Sequence, residues 1–323
     1  MQNYGKGPVT VGIRIQQPGL LTTVQDFGRT GYQKFGISPS GAMDRRALAT
    51  ANLLVGNRAG EAGLEMTMVG AVMEFTVPNI VAITGGNFAP TLNGAAVPMC
   101  AAFPVNAGDT LAFGMAQSGS RCYIAFTGGL NVPVVMGSKS TNLKCRIGGC
   151  EGRRLKMGDE IGFTNPVAYK PDLSQRFVEY REPCEKEVTL RVVLGPQDDY
   201  FTDTGIRTFL NETYTVTNRS DRMGCSLEGP KVEYKTKADI ISDGIPLGAV
   251  QIPSGGKPIV MLSDRQTTGG YAKIATVIST DLPLFVQRKA GDRIHFQKVT
   301  MREAQAINRA EFQEMLRLQD RFL

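Results

Sequence analysis

A short phrase of the form Gly-Asp-x-(Leu/Ile)-x-Phe occurs three times in this 323-residue chain, as GDTLAF from Gly108, GDEIGF from Gly158 and GDRIHF from Gly291. A glycine followed by an aspartate is typical of a tight turn, and alternating apolar residues after it are typical of a half-buried strand. Each copy is therefore predicted to be a turn that leads into a strand. The recurrence also indicates an internal duplication.

A second pair of similar segments supports the duplication. LEMTMVGAVMEF from Leu64 resembles LEGPKVEY from Leu227, because in both a Leu-Glu pair precedes a glycine and an acidic-aromatic strand end. The interval from Leu227 to Gly291 is about twenty residues longer than the interval from Leu64 to Gly108. The surplus lies in a polar, Gly-rich stretch around Asp264, and long loops of this kind often carry function.

Short runs rich in Val and Ile recur about every ten residues and are separated by Gly, Pro, Asn and Asp. Branched side chains suit a pleated, half-buried surface, so the chain is predicted to be mainly β. A hydrophobic fraction of 42% with 37 glycines fits a globular protein rich in turns. The clearest strand candidates are Val9 to Ile15, Ile80 to Thr84, Tyr123 to Thr127, Leu190 to Leu194 and Pro258 to Leu262.

Two segments have helical periodicity instead. Asp44 to Leu54 places apolar residues at helical spacing, with Asp44 as a candidate N-cap. The tail from Met301 to Leu323 has an apolar face, and Thr300 with Glu303 forms a capping-box pattern before it. We expect one short helix and one terminal helix.

Charge and composition narrow the function classes. Lys and Arg outnumber Asp and Glu by 36 to 30, but the basic residues are scattered, which argues against a nucleic-acid partner and leaves a mild preference for anionic small molecules. No run of 18 apolar residues or signal-peptide pattern is present, so no membrane association and a cytoplasmic location are expected. The six scattered cysteines are interpreted as reduced thiols.

Several familiar catalytic devices are missing from the sequence. His295 is the only histidine and lies in a repeated strand phrase, which favours a packing role over catalysis. Cys145 and Cys150 have the wrong spacing for zinc, so no metal ligand is assigned. GSKST at Gly137 and GGKP at Gly255 both fail the phosphate-loop pattern.

The preferred site is SDRQTTGGY, from Ser263 to Tyr271, directly after a strand candidate. Successive amides in a Thr-Thr-Gly-Gly turn can bind an anion, and Arg265 offers a fork of donors for a carboxylate or oxyanion. Asp264 could orient Arg265, act as a base or hold a magnesium ion. The alternative is a plain turn with a surface pair between Asp264 and Arg265.

Two further polar clusters accompany it. TTVQDFGRTGYQKFGISPSGAMD, from Thr22 to Asp44, is dense in glycines and polar residues, and is predicted to face the preferred site unless its polar groups only satisfy one another. GPQDDYF from Gly195 and TNRSDRMG from Thr217 are interpreted as structural turns, with a charged rim for the site or a partner as the alternative.

The predicted site residues divide into two groups. The catalytic group is Arg29, Asp44, Asp264, Arg265 and Thr268. The substrate-binding group is Gln25, Asp26, Ser40, Gln266, Thr267, Gly269, Gly270 and Tyr271.

These phrases, together with LVGN, ITGGNF, LNG and DIISDGI, resemble the family that contains the 5-oxoprolinase C subunit, also known as allophanate hydrolase subunit 2, from about Gln17 to Val299. The family includes the biotin-dependent carboxyltransferase domain of urea carboxylase. The resemblance implies two cyclophilin-like β-barrel halves, which we place at residues 1–170 and 171–323, with few short helices and a C-terminal helix.

The resemblance also implies a function. A family member works in a multisubunit complex with a B subunit, which is similar to allophanate hydrolase subunit 1, and with an A subunit. The complex hydrolyses 5-oxo-L-proline, a small cyclic amide, to L-glutamate. It uses ATP, with or without magnesium, and this chain carries no covalent biotin.

Two alternatives to the hydrolase stay open. One is the carboxyltransferase component of a biotin-dependent urea or amide carboxylase. The other is a non-catalytic regulator that binds a kinase inhibitor similar to the B subunit.

Overall fold

The computed structural model describes residues 11–323, which form two compact units. The first unit comprises the residues up to Phe27 together with Ala47–Glu182 and Arg321–Leu323. The second comprises Gly28–Arg46 and Pro183–Asp320. Residues 28–46 thus belong with the second unit. The predicted halves, 1–170 and 171–323, are contiguous and place this segment in the first half.

Twelve strands in residues 11–182 build two sheets, whose orders are β11-β12-β1-β4-β9-β6-β7 and β2-β3-β10-β5-β8. Side chains from both sheets, such as Ile13, Phe75, Leu64 and Ile124, meet in one apolar core. The strands are β1 (Val11–Gln17), β2 (Leu21–Gln25), β3 (Gly63–Thr67), β4 (Val72–Phe75), β5 (Asn79–Gly85), β6 (Thr91–Leu92), β7 (Ala95–Ala96), β8 (Ala102–Val105), β9 (Thr110–Ala112), β10 (Arg121–Phe126), β11 (Leu130–Asn131) and β12 (Glu160–Phe163).

Seven strands of the second unit close into a barrel of order β13-β20-β17-β18-β15-β14-β21, and two more form a separate antiparallel ribbon, β16-β19. Closure leaves the barrel without a free edge. Its interior is filled by apolar side chains such as Val192, Val260 and Ile274. The strands are β13 (Glu187–Leu194), β14 (Tyr214–Ser220), β15 (Gly224–Glu228), β16 (Asp239–Gly244), β17 (Ala249–Gln251), β18 (Ile259–Met261), β19 (Thr268–Tyr271), β20 (Lys273–Val277) and β21 (Arg293–Lys298).

The mainly β prediction is confirmed, and both predicted helices are present. At the terminal helix the capping box forms, because the Thr300 amide donates to Glu303 Oε2 at 2.7 Å and the Glu303 amide donates to Thr300 Oγ1 at 3.2 Å. No helix in residues 11–323 is both long and apolar enough to cross a membrane. Within residues 11–323 the α-helices are α1 (Arg45–Val55), α2 (Asp203–Asn211), α3 (Leu282–Val286) and α4 (Met301–Phe322).

The three Gly-Asp phrases are confirmed as equivalent turns that lead into β9, β12 and β21. Their glycines Gly108, Gly158 and Gly291 have φ values of 87°, 86° and 95°. In each turn the following aspartate accepts a hydrogen bond from the amide three residues earlier, at 2.7 or 2.8 Å. A Cβ at these glycines would contact nothing, so the positive φ is what requires glycine there.

Candidate functional site

The polar loop before α1 lies against the loop after β18, within the second unit. The Ser40 amide donates to the Ser263 carbonyl at 3.1 Å, and Ser38 Oγ donates to the Arg265 carbonyl at 2.7 Å. Ser263 Oγ donates in turn to the Ala42 carbonyl at 3.4 Å. Residues 38–42 and 263–265 are thus in contact, which brings together one part of each of the two predicted clusters.

Asp264 is paired with Arg222 rather than with its neighbour Arg265. Arg222 Nε donates to Asp264 Oδ2 at 2.9 Å and its Nη2 to Oδ1 at 3.3 Å, and the two side chains are 5% and 6% exposed. Arg222 Nη2 also donates to the Gly41 carbonyl at 2.6 Å. The hypothesis that Asp264 orients Arg265 is therefore wrong, and so is the alternative of a surface pair between them.

Arg265 is also buried, and its guanidinium bonds carbonyl groups. Its Nε donates to the Ile245 oxygen at 2.8 Å and its Nη1 to the Leu262 oxygen at 3.3 Å. Burial, with Arg45 nearby, lowers the pKa of Arg265 to about 10, so it is still cationic at neutral pH. Among residues 11–323 it has no carboxylate partner.

The predicted Thr-Thr-Gly-Gly turn is wrong, because Thr268–Tyr271 is strand β19. It pairs with β16 in the register Asp239 to Tyr271, Asp243 to Gly269 and Gly244 to Thr268. Gly269 and Gly270 are absent from the positive-φ glycines, so they do not build an amide nest. Gly269 is instead closely packed: an added Cβ would lie 2.7 Å from Ile245 Cδ1 and 3.0 Å from Gln251 Nε2, so these side-chain ends would have to move.

A cavity of about 480 Å³ opens beside this ribbon. Five of the predicted binding or catalytic residues line it, namely Gln266, Thr268, Gly269, Gly270 and Tyr271. Sequence reasoning misses the rest of the lining, which consists of Asp239, Ile240, Ile245 and Gln251. The volume of the cavity and its mixed lining suit a small polar molecule.

Next to the cavity, three residues from distant phrases meet. Lys273 is fully buried, and its Nζ donates to Asp243 Oδ2 at 3.0 Å. Gln197 Nε2 donates to the same oxygen at 3.3 Å, and Gln197 Oε1 accepts the Lys273 amide at 3.1 Å. Lys273 follows the cavity residue Tyr271 by two positions, and Asp243 faces Gly269 in the ribbon. We name Gln197, Asp243 and Lys273 the lysine cluster.

The lysine cluster concentrates charge beside the cavity. The hydrogen bond from Lys273, aided by the Gly244 amide, lowers the pKa of Asp243 below its ordinary range. An ammonium next to a carboxylate and an amide can bind a carboxylate or stabilise an oxygen that gains negative charge. The sequence alone favours a structural turn for the GPQDDYF phrase, since nothing local links Gln197 to Asp243 or Lys273.

Two predicted residues, Gln25 and Asp26, belong to the first unit and have structural partners there. The Asp26 carboxylate accepts Ser138 Oγ at 2.7 Å, the Lys139 amide at 2.6 Å and Ser140 Oγ. Gln25 Nε2 donates to the Thr141 carbonyl at 3.1 Å. The GSKST phrase therefore encloses a carboxylate.

Arg29 and Asp44 belong to the second unit but do not line the cavity. Arg29 is 1% exposed, and its amide donates to the Pro39 carbonyl at 2.8 Å. Asp44 Oδ2 accepts Gln287 Nε2 at 2.9 Å. Thr267 accepts the Ile245 amide through its carbonyl at 3.0 Å, which helps to anchor the start of the ribbon.

Comparison with known proteins shows which family the chain belongs to. Residues 35–298 match the family described as carboxyltransferase domain, subdomain A and B. This match covers most of the chain. The chain belongs to this carboxyltransferase-domain family. The matched residues include the cavity lining, Arg222 with Asp264, and the lysine cluster, but not Gln25, Asp26 or α4.

Two curated relatives are similar to the chain over nearly their whole length. The chain is 38% identical to the 5-oxoprolinase C subunit of Escherichia coli, over 90% of this chain and 93% of that protein. It is 33% identical to the 5-oxoprolinase C subunit of Haemophilus influenzae, over 89% and 91% of the two chains.

A solved structure supports the same family assignment. The K. lactis urea amidolyase superimposes with a TM-score of 0.89 at 27% identity over 98% of this chain. The chain spans only 20% of that much longer protein.

Proposed function

We propose that this chain is the C subunit of an ATP-dependent 5-oxoprolinase, which works with A and B subunits to hydrolyse 5-oxo-L-proline to L-glutamate. The observation that carries the proposal is the 38% identity to the Escherichia coli C subunit, over 93% of that protein. The similarity is not confined to one segment, and it includes the cavity and the lysine cluster.

The chemistry of the cavity supports a small amide as substrate. A five-membered lactam presents a planar N–C=O group and a carboxylate. Gln251, which is 4% exposed and lines the cavity, offers an amide that can both donate to an oxygen and accept from a nitrogen. Lys273, two positions after the cavity residue Tyr271, provides a buried ammonium for negative charge.

In this proposal Lys273 stabilises the oxygen that gains charge when water attacks the lactam carbonyl. Asp243 holds the ammonium in place, and Gln197 holds Asp243. Water adds to the carbonyl carbon, the C–N bond breaks, and the nitrogen takes up a proton to become the product amine. One fixed donor at such an oxygen is typically worth about 3–4 kcal/mol of transition-state stabilisation.

ATP belongs to the partner proteins in this proposal. The GSKST phrase is the segment of this chain closest in sequence to a phosphate loop, but Ser138, Ser140 and the Lys139 amide are occupied by Asp26. The Lys139 ammonium is paired with Glu61 at 2.7 Å. These residues do not fit a triphosphate, so we derive no step of the reaction through ATP on this chain.

Reconstitution tests the proposal. The chain is mixed with the A and B subunits from the same source, and glutamate release from 5-oxoproline with ATP is measured with and without this chain. We expect release only in the complete mixture. A complex that forms but releases no more glutamate than the other two proteins alone would contradict the proposal and favour a regulatory role.

Carboxyl transfer is the second candidate, favoured by the TM-score of 0.89 to the K. lactis urea amidolyase. Urea, biotin and a lactam share the planar N–C=O group, so the same cavity chemistry could serve either reaction. Adding carboxybiotin and urea to the chain with its B subunit distinguishes the two. Allophanate formation without 5-oxoproline hydrolysis would favour the carboxyltransferase.

A further inference from the structure

The first unit contains a cavity of about 510 Å³ that the proposed function does not use. Its walls come from the segment after β11, the loop 146–152 and strand β12. Apolar side chains predominate among the lining residues, including Val132, Pro133, Val135, Ile147 and Ile161. A cavity of this size is typical of sites for small organic molecules.

Only one charged residue in this lining lacks a partner in the described part of the chain. Glu151 is paired with Arg153 at 3.0 Å, and Glu160 is paired with Arg14 at 2.9 Å. Arg146 makes no ion pair and no side-chain hydrogen bond within residues 11–323. Arg153 also pairs with Asp159 at 2.7 Å and Arg14 with Glu74 at 3.8 Å, so the exposed Arg146 is the one cation of the lining whose guanidinium no carboxylate of the described residues occupies.

The loop that carries Arg146 has an unusual backbone. Arg146 and Glu151 have φ values of 54° and 56°, a left-handed conformation that costs an L-residue energy. Gly149 and Gly152 are also left-handed, and a Cβ at Gly149 would lie 2.0 Å from Thr141 Oγ1. Strained residues of this kind cluster at binding sites, where the surrounding structure holds them in place.

The same loop has two backbone N–H groups without an acceptor in the described part of the chain. Gly148 is buried and lines the cavity, and its N–H donates to no acceptor in residues 11–323. The N–H of Cys150, which also lines the cavity, likewise has no acceptor among the described residues. Buried amides without an acceptor are rare in folded proteins, so an acceptor from a ligand is the natural complement of the Gly148 amide, with the half-buried Cys150 amide beside it.

We propose that this cavity binds a small organic carboxylate with an apolar body, the carboxylate at Arg146 and the amides of loop 146–152, and the body between Val132 and Ile161. The charge selects an anion, and the apolar walls disfavour a small, strongly hydrated one such as phosphate. Burial and Asp159 raise the pKa of Cys150, so its thiol stays neutral and contributes as part of the apolar wall.

Isothermal titration calorimetry of the full chain with octanoate tests the proposal, with octanamide as the uncharged probe of equal length. We expect saturable binding of octanoate at one site per chain and at least tenfold weaker binding of octanamide. Arg146→Gln is expected to weaken octanoate at least tenfold. Arg58→Gln, which changes an exposed arginine of the same unit outside the cavity, is expected to leave it unchanged.

A second variant separates binding from folding. Arg146→Gly removes the guanidinium and also relieves the left-handed strain at φ 54°, so binding is expected to be lost while the thermal midpoint stays the same or rises. Absence of saturable octanoate binding to the unmodified chain would overturn the proposal. So would octanoate binding that Arg146→Gln and Arg146→Gly leave intact.

Discussion

Arg222 and Asp264 form a buried, doubly hydrogen-bonded ion pair that also ties the second unit's barrel to the loop before α1. Arg222 lies between β14 and β15, Asp264 follows β18, and the same guanidinium reaches the Gly41 carbonyl. One side chain thereby joins three segments that are far apart in the sequence. Arg265, which follows Asp264 and is also a predicted site residue, donates to carbonyl groups instead.

Breaking this pair should be costly. We expect Arg222→Leu to lower the free energy of unfolding by about 3–5 kcal/mol, because it leaves the Asp264 charge buried without its partner. Urea denaturation measures the change. Glu228→Gln is the control, because it breaks the ion pair of Glu228 with Lys257, whose side chains are 58% and 42% exposed, respectively. This change should lower the free energy of unfolding by less than about 1 kcal/mol. Equal losses would refute the structural role.

The Gly-Asp turns give a test of backbone strain. Gly291 has φ 95° and open space around an added Cβ, so Gly291→Ala should destabilise the protein by about 1–2 kcal/mol through conformation alone. Gly255 also has open space but no positive φ, so Gly255→Ala should be neutral or slightly stabilising. Thermal denaturation of both variants checks the difference, and indistinguishable midpoints would contradict it.

Sequence reasoning succeeds where structure is determined locally. The capping box needs only Thr300 and Glu303, three positions apart, and the turn at Gly291 needs only a positive φ and the next aspartate. Short phrases are enough to predict both. The sequence also predicts that the polar clusters from Thr22 to Asp44 and from Ser263 to Tyr271 face each other, and the structure brings residues 38–42 and 263–265 of these clusters into contact.

Sequence reasoning fails where a residue that is distant in the sequence determines the local structure. Two glycines suggest a turn at residues 268–271, but pairing with β16, about 28 residues earlier, makes the segment a strand. Adjacent opposite charges suggest a pair between Asp264 and Arg265, yet the partner of Asp264 is 42 positions away. Sequence reasoning misses Lys273, because strand β20 of the barrel and strand β16 of the ribbon must both form before Lys273 meets Gln197 and Asp243.

The cavity beside the ribbon should be sensitive to Gly269. An added Cβ there would press on Ile245 Cδ1 and Gln251 Nε2, both flexible side-chain ends, so Gly269→Ala should fold while narrowing the cavity. We expect the KM for 5-oxoproline in the reconstituted complex to rise roughly tenfold. Gly270→Ala is the matched control, because its nearest neighbour would be the Ile240 oxygen at 3.5 Å. A KM that is unchanged in both variants would show that this cavity does not bind 5-oxoproline.

Asp243 makes the ribbon sensitive to acid. Its folded-state pKa is lowered, chiefly by the hydrogen bond from Lys273, so it contributes stability above its unfolded pKa of about 4 and loses it as pH falls through the lower folded value. Asp243→Asn should therefore lower the thermal midpoint at pH 7, and the difference from the unmodified chain should shrink below about pH 4. A difference that is constant from pH 7 to pH 3 would contradict this.

The most direct test of the proposed function is the kcat/KM of the reconstituted complex with Lys273→Met, which removes the buried ammonium and keeps a side chain of similar length. Loss of one charge-stabilising donor predicts a decrease of at least about 100-fold for 5-oxoproline hydrolysis, in a complex that still assembles. A value within about threefold of the unmodified complex, equivalent to less than about 1 kcal/mol, would show that the lysine cluster takes no part in the reaction.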